Sequence, residues 1–186
     1  ALVSSVAFSP DGKWFATSSN DQTVIVWDAE RLQKVAVLRG HQSPVFSVTF
    51  SPDGRWLASA SGNTILWRVG SWEKSAEIPH GIGEAGTVLF SPNSQRLMFH
   101  SGDPPNTWDV ATGQPVGEEF DLAWAGNNVA LSPDATRLVS VTSTGEVIFA
   151  DVPRRRTLNR YRAHQDHGRT VAYSPDGRLV VTGSEN

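Results

Sequence analysis

Ser-Pro recurs at Ser9-Pro10, Ser51-Pro52, Ser91-Pro92, Ser132-Pro133 and Ser174-Pro175, at intervals of 42, 40, 41 and 42 residues. A period of this size marks a stack of like units, because one such unit cannot bury its own apolar face and must lean on its neighbours. The repeat divides the chain at about residues 1–41, 42–80, 81–124, 125–164 and 165–186, the last being incomplete.

Each unit is strand-like. "VSSVAF" and "VFSVTF" precede the Ser-Pro turn, "WFATSS" and "WLASAS" follow it, and "TVIVW" and "KVAVL" come next. These short runs are rich in Val, Ile, Phe, Trp and Thr and are bounded by Gly, Pro, Asn, Asp and Ser, which gives four strands per unit and an all-β chain. In "SPDG" the proline presets the first turn dihedral, the aspartate tolerates the second and the glycine takes the left-handed conformation, so this is the hairpin between the first two strands. Asp11, Asp53, Asp134 and Asp176 recur with the turn and read as turn formers. In "SPNS" and "SPDA", Ser94 and Ala135 replace the glycine, and each is expected in a strained turn at about 1 kcal/mol or more.

Trp27-Asp28, Trp108-Asp109 and Trp67-Arg68 close the third strands, and Gly40-His41 ends the first unit. With these pairs the chain resembles the WD-repeat β-propeller family over its whole length. The resemblance implies four-stranded antiparallel blades set radially around a channel, usually about four to eight of them. The four and a half units here then form an incomplete, open propeller segment. It is completed by further blades of a longer protein, or its open edges pair with another copy and drive self-association.

The resemblance also implies a buried polar network in each blade, linking a His before the blade, a hydroxyl on the second strand, an Asp in the next turn and the third-strand Trp. Thr17, Asp21 and Trp27 match in the first unit, and His41, Ser59 and Trp67 in the second, where the turn is shorter and holds no Asp. The third offers His80, Asp103 and Trp108 without an assigned hydroxyl. In the fourth, Ser140 and Asp151 match, Thr144 stands in the Asp position and Ala150 in the Trp position, which makes this blade the weakest. The last supplies His164 and Thr182 and reaches Asn186 where the Asp would stand.

The net charge of −3 argues against a phosphate-backbone grip, so no nucleic-acid partner is expected. The one basic run, Arg154-Arg155-Arg156, reads as a solvated turn or as a local contact for an acidic partner. With no cysteine there is no thiolate metal site or thiol nucleophile, and the composition is compatible with the cytoplasm. No window reaches the roughly 18 apolar residues of a membrane helix, so no membrane partner is expected. In "HQDH", His164, Asp166 and His167 offer part of a zinc set, but no further protein ligand from elsewhere is evident; His164 is expected in the blade network and the other two in an exposed loop. His100 reads as a strand residue, "GIGEAG" at 81–86 lacks dinucleotide spacing, and no serine sits in a Gly-x-Ser-x-Gly elbow, so no metal, cofactor or catalytic set is assigned.

What remains is surface. The loops between blades and the turns between second and third strands collect on one rim, and binding usually resides in such loops. Trp124 stands there as an interface anchor or as packing between blades, Asp166 and His167 lie in the last such loop, and Trp72 marks the opposite rim. The reading is a non-enzymatic protein–protein interaction scaffold for protein or peptide partners, probable parent a larger multidomain protein. The alternative is an accessory propeller of an enzyme, an α/β-hydrolase peptidase or a signalling kinase or ATPase, whose catalytic domain lies outside this chain.

Overall fold

Each Ser-Pro turn closes in the same way in the computed structural model, which describes residues 1–79, 87–99, 107–116, 128–134, 136–154 and 156–185. Ser9 donates its hydroxyl to Asp11 Oδ1 (2.7 Å) and accepts the Trp14 N–H (2.9 Å), while the Gly12 N–H returns to Ser9 O (2.9 Å). The serine hydroxyl is therefore consumed by the turn, and the same serine-to-carboxyl or carboxamide bond recurs at Asp53, Asn93, Asp134 and Asp176. Gly12, Gly54 and Gly177 take the left-handed φ of +69°, +71° and +70° that the turn demands. Ser94 takes φ +59° in their place, and its hydroxyl accepts the Asp53 N–H at 3.0 Å from the neighbouring turn, a bond that offsets the strained backbone. Ala135 lies outside the described residues.

The chain divides into two units, Ala1–Glu119 and Phe120–Asn186. The first holds three antiparallel sheets. One is β1 (Val3–Phe8), β2 (Trp14–Ser19), β3 (Val24–Asp28) and β4 (Gln33–Leu38); the next is β5 (Ser47–Phe50), β6 (Trp56–Ala60), β7 (Asn63–Arg68) and β8 (Lys74–Pro79). The third is β9 (Val88–Phe90), β10 (Arg96–Phe99) and β11 (Thr107–Asp109). In this third sheet the described residues give three strands and the start of a fourth. It returns along β11 at the bridge from Trp108 to Pro115, where the Val116 N–H donates to Thr107 O (3.0 Å) and the Asp109 N–H to Gln114 O (2.9 Å). The second unit holds β12 (Asn128–Leu131), β13 (Arg137–Val141), β14 (Glu146–Asp151) and β15 (Arg156–Arg162), then the pair β16 (Gly168–Tyr173) and β17 (Val180–Ser184).

The core lies between consecutive sheets. Register places Phe50, Leu57 and Trp67 on one face of the second sheet, where they pack on Ala16, Val26 and Ala36 of the first. Its opposite face, Ala58, Leu66 and Ala76, receives Phe90, Leu97 and Trp108 of the third. Large residues on one face and small ones on the other let successive sheets nest, and each buried aromatic or aliphatic side chain contributes about 1.5–3 kcal/mol. In the second unit Val139, Val141 and Val147 receive Tyr173 and Val180 in the same manner. On the first sheet's large-residue face Phe8 is 65% exposed, where its counterparts Phe50 and Phe90 are 7% and 5% exposed.

Candidate functional site

The network of the second sheet is the most complete. Trp67 Nε1 donates to Ser59 Oγ (2.8 Å), and His41 Nε2 lies 2.7 Å from the same oxygen. His41 Nδ1 is 3.0 Å from Asn63 Oδ1, an acceptor only, so the proton sits on Nδ1 and Ser59 donates its own hydrogen to Nε2. Asn63 in turn donates to Glu77, whose carboxyl is held below the usual range by Lys74 first and Asn63 second. The sequence reading found no Asp in this turn and passed over Asn63, although its carboxamide oxygen offers the same acceptor.

The order Ser59, His41, Asn63 is that of a nucleophile, a base and an orienting group. It does not work as one here, because Ser59 is fully buried and its oxygen already accepts the indole N–H. The arrangement is a strut holding the loop before β5 to the middle of its own sheet. At the rim above it, Gln42, Ser43, Ser61, Gly62, Asn63 and Glu77 line a polar cleft of about 270 Å³.

Elsewhere the network is partial. In the first sheet Trp27 Nε1 donates to Thr17 Oγ1 (3.1 Å), whereas Asp21 turns to the Thr23 hydroxyl (2.6 Å) and N–H (3.1 Å), which hold its carboxyl below the usual range. In the third, Trp108 is buried and its indole N–H meets no partner among the described residues; the register position of Thr17 and Ser59 belongs there to Phe99. His80, His100 and Asp103 lie outside the described residues. In the fourth the defect is reversed: Ser140 Oγ is buried without a partner among the described residues, and Ala150, not a tryptophan, stands opposite Leu138. In the last, His164 Nε2 reaches Thr182 Oγ1 at 2.8 Å.

The aspartate after the third-strand tryptophan has a separate task. Asp28 accepts the Glu30 and Arg31 N–H groups (3.0 and 2.7 Å) and Asp109 those of Ala111 and Thr112 (3.0 and 2.9 Å), capping the turn to the outer strand. Asp151 does the same for Arg154 (2.8 Å). Arg68, at this position in the second sheet, cannot accept and instead places its guanidinium 5.0 Å from the Trp56 ring centre.

Of the surface candidates, Trp72 is half-buried and meets Trp14 edge-on at 5.8 Å, so it joins the first two sheets more than it offers a free anchor. Asp166 and His167 are exposed, in a loop fixed at its start by Gly145 O, which accepts the Ala163 and His164 N–H groups (3.0 and 3.1 Å). Trp124 lies outside the described residues.

The family described as WD domain, G-beta repeat, matches residues 1–28, 32–67 and 155–186, together about half of the chain. The chain belongs to the WD-repeat family. It is 28% identical over 203 aligned residues to a guanine nucleotide-binding protein subunit beta of Zea mays, covering 99% of this chain and 53% of that protein. It is 41% identical over 44 residues to the general transcriptional corepressor TUP1 of Saccharomyces cerevisiae, covering 24% and 6%. Among solved structures, the Cps50 (Swd1) β-propeller domain of Myceliophteria thermophila superposes with TM-score 0.76 at 21% identity, over 98% of this chain and 62% of that one. The fold is thus an open segment of a β-propeller, and the chain spans about half the length of the G-protein relatives it matches.

Proposed function

We propose that this WD-repeat segment is a non-catalytic scaffold, part of a longer multidomain protein, whose inter-blade loops bind protein or peptide partners in the cytoplasm. The observation that carries the reading is the strut geometry: His41–Ser59–Trp67 and His164–Thr182 use two histidines and two hydroxyls to fix loops to rigid sheets. Loops held in this way are preorganised, which lowers the entropy lost on binding. The relatives' names, a G-protein subunit and a corepressor, support a partner-binding role over an enzymatic one.

The test uses the parent protein with Trp124→Ala and, separately, Asp166→Lys with His167→Ala. Partner retention lost at unchanged melting temperature supports loop binding. Full retention in both variants contradicts it, and a catalytic domain whose activity fails without the repeats would assign the segment to an enzyme as its accessory.

A further inference from the structure

Six of the chain's 16 lysines and arginines fall between residues 151 and 169 against only Asp151 and Asp166, in a protein of net charge −3. The outer strand β15 lies at the centre of this cluster. All seven of its residues are exposed, and among the described residues it pairs only with β14; on its other edge Asn159 Oδ1 accepts the Arg160 N–H (2.9 Å), and the remaining outward backbone groups have no strand beside them. Arg154 is tied to Asp151 (2.8 Å), and Arg162 donates to His164 O and Gln165 O (3.2 and 3.0 Å). The Arg156 and Arg160 guanidinium groups donate no hydrogen bond among the described residues. Leu158 lies between them and Tyr161 next to Arg160, 44% and 49% exposed, and Tyr161 stacks on Phe149 at 6.1 Å. The register shift between Phe149 and Ala150 sets Arg156 on the Asp151 face and Arg160 on the opposite, Ile148 face.

Charged residues often guard sheet edges against pairing. The sister outer strands show that this fold does not require it here: β4 carries Lys34 alone, and β8 carries Lys74 matched to Glu77. We propose that the free edge of β15 docks an acidic extended peptide as an added strand. Arg156 and Arg160 take its carboxylates as planar forks from the two opposite faces of the sheet, and Leu158 and Tyr161 take neighbouring apolar side chains. Seven strand residues span about 23 Å, the reach of a six- or seven-residue segment. A nucleic acid suits the surface less well, because the chain outside this cluster is acidic and repels a longer polyanion.

This extends the scaffold reading to a second surface and rests on it only in expecting a protein partner. The 186-residue chain is titrated with a fluorescent, end-blocked peptide of glutamate and valine in paired order (Glu-Glu-Val-Val repeated), which puts carboxylates on both faces, with its lysine twin, and with oligo-dT of equal charge. The glutamate peptide binds best, its affinity falls with salt, and hydrogen exchange slows at amides of β15. Arg156→Glu with Arg160→Glu weakens binding at least about tenfold, the milder Arg160→Gln weakens it less, and Lys34→Glu on β4 leaves it unchanged. Equal binding of the lysine twin, tighter binding of oligo-dT, unaltered affinity in a folded arginine variant, or unprotected β15 amides would each overturn the proposal. Failure here with loop-rim partners still bound leaves the scaffold reading standing.

Discussion

Ser59 and Ser140 hold the same register position in two sheets, both fully buried, and differ only in what surrounds the hydroxyl. Replacing Ser59 by alanine removes the acceptor of Trp67 Nε1 and the donor to His41 Nε2, and it leaves two buried polar atoms without partners. Each such orphan costs about 1–3 kcal/mol, so with partial relaxation the loss is about 2–4 kcal/mol. Ser140→Ala removes a hydroxyl that has no partner among the described residues, and the change is neutral to stabilising by about 1 kcal/mol. One atom deleted at one register position should therefore give effects of opposite sign. Urea unfolding followed by tryptophan fluorescence reads the first, because six of the seven tryptophans precede residue 119. Hydrogen exchange at amides of β13 and β14 reads the second. Equal effects, or a larger loss for Ser140→Ala, would refute the satisfied-network account.

Gly145 has φ +80°, and a Cβ there would lie 2.3 Å from His164 O, so Gly145→Ala should cost at least about 2–3 kcal/mol and loosen the 163–167 loop, whereas Gly62→Ala, with open space around it, should change little; urea midpoints decide. Ser94→Ala keeps the left-handed backbone and loses the bond from Asp53, a cost of about 1–2 kcal/mol, while Ser94→Gly exchanges that bond for relief of strain and stays near neutral in thermal melts. The turn carboxyls titrate below their ordinary value of 3.8, Asp11, Asp134 and Asp176 chiefly through the serine hydroxyl and Asp28, Asp109 and Asp151 chiefly through turn N–H groups. Their stabilisation is complete above that pH and is lost as pH falls through the lower folded values, so the melting temperature should hold to roughly pH 5 and drop below pH 3.8, and a flat profile to pH 2 would contradict this.

The sheets and their Ser-Pro turns were legible in the sequence because the signals are local: a proline, a turn former and a left-handed glycine within four residues. The struts of the second and last sheets were legible for a different reason, since a histidine and a hydroxyl recur 18 residues apart, joined in the second sheet by a tryptophan 8 residues on. What escaped depends on exchange between residue types or on neighbours a full period away. Asn63 replaces a charged acceptor by a neutral one, so a search for aspartate misses it. Ser94 draws its compensation from a backbone N–H 41 residues earlier, which no single repeat contains.

The central claim is that partners meet the loop rim of these sheets and not the Ser-Pro turn rim. A photo-crosslinking residue placed at Gln42 or Asp166 on the loop side, and at Lys13 or Arg178 on the turn side, reports this directly in cells producing the parent protein. The account predicts discrete protein adducts from the first two positions and none from the last two. Adducts only from Lys13 and Arg178, or equally from all four, would contradict it.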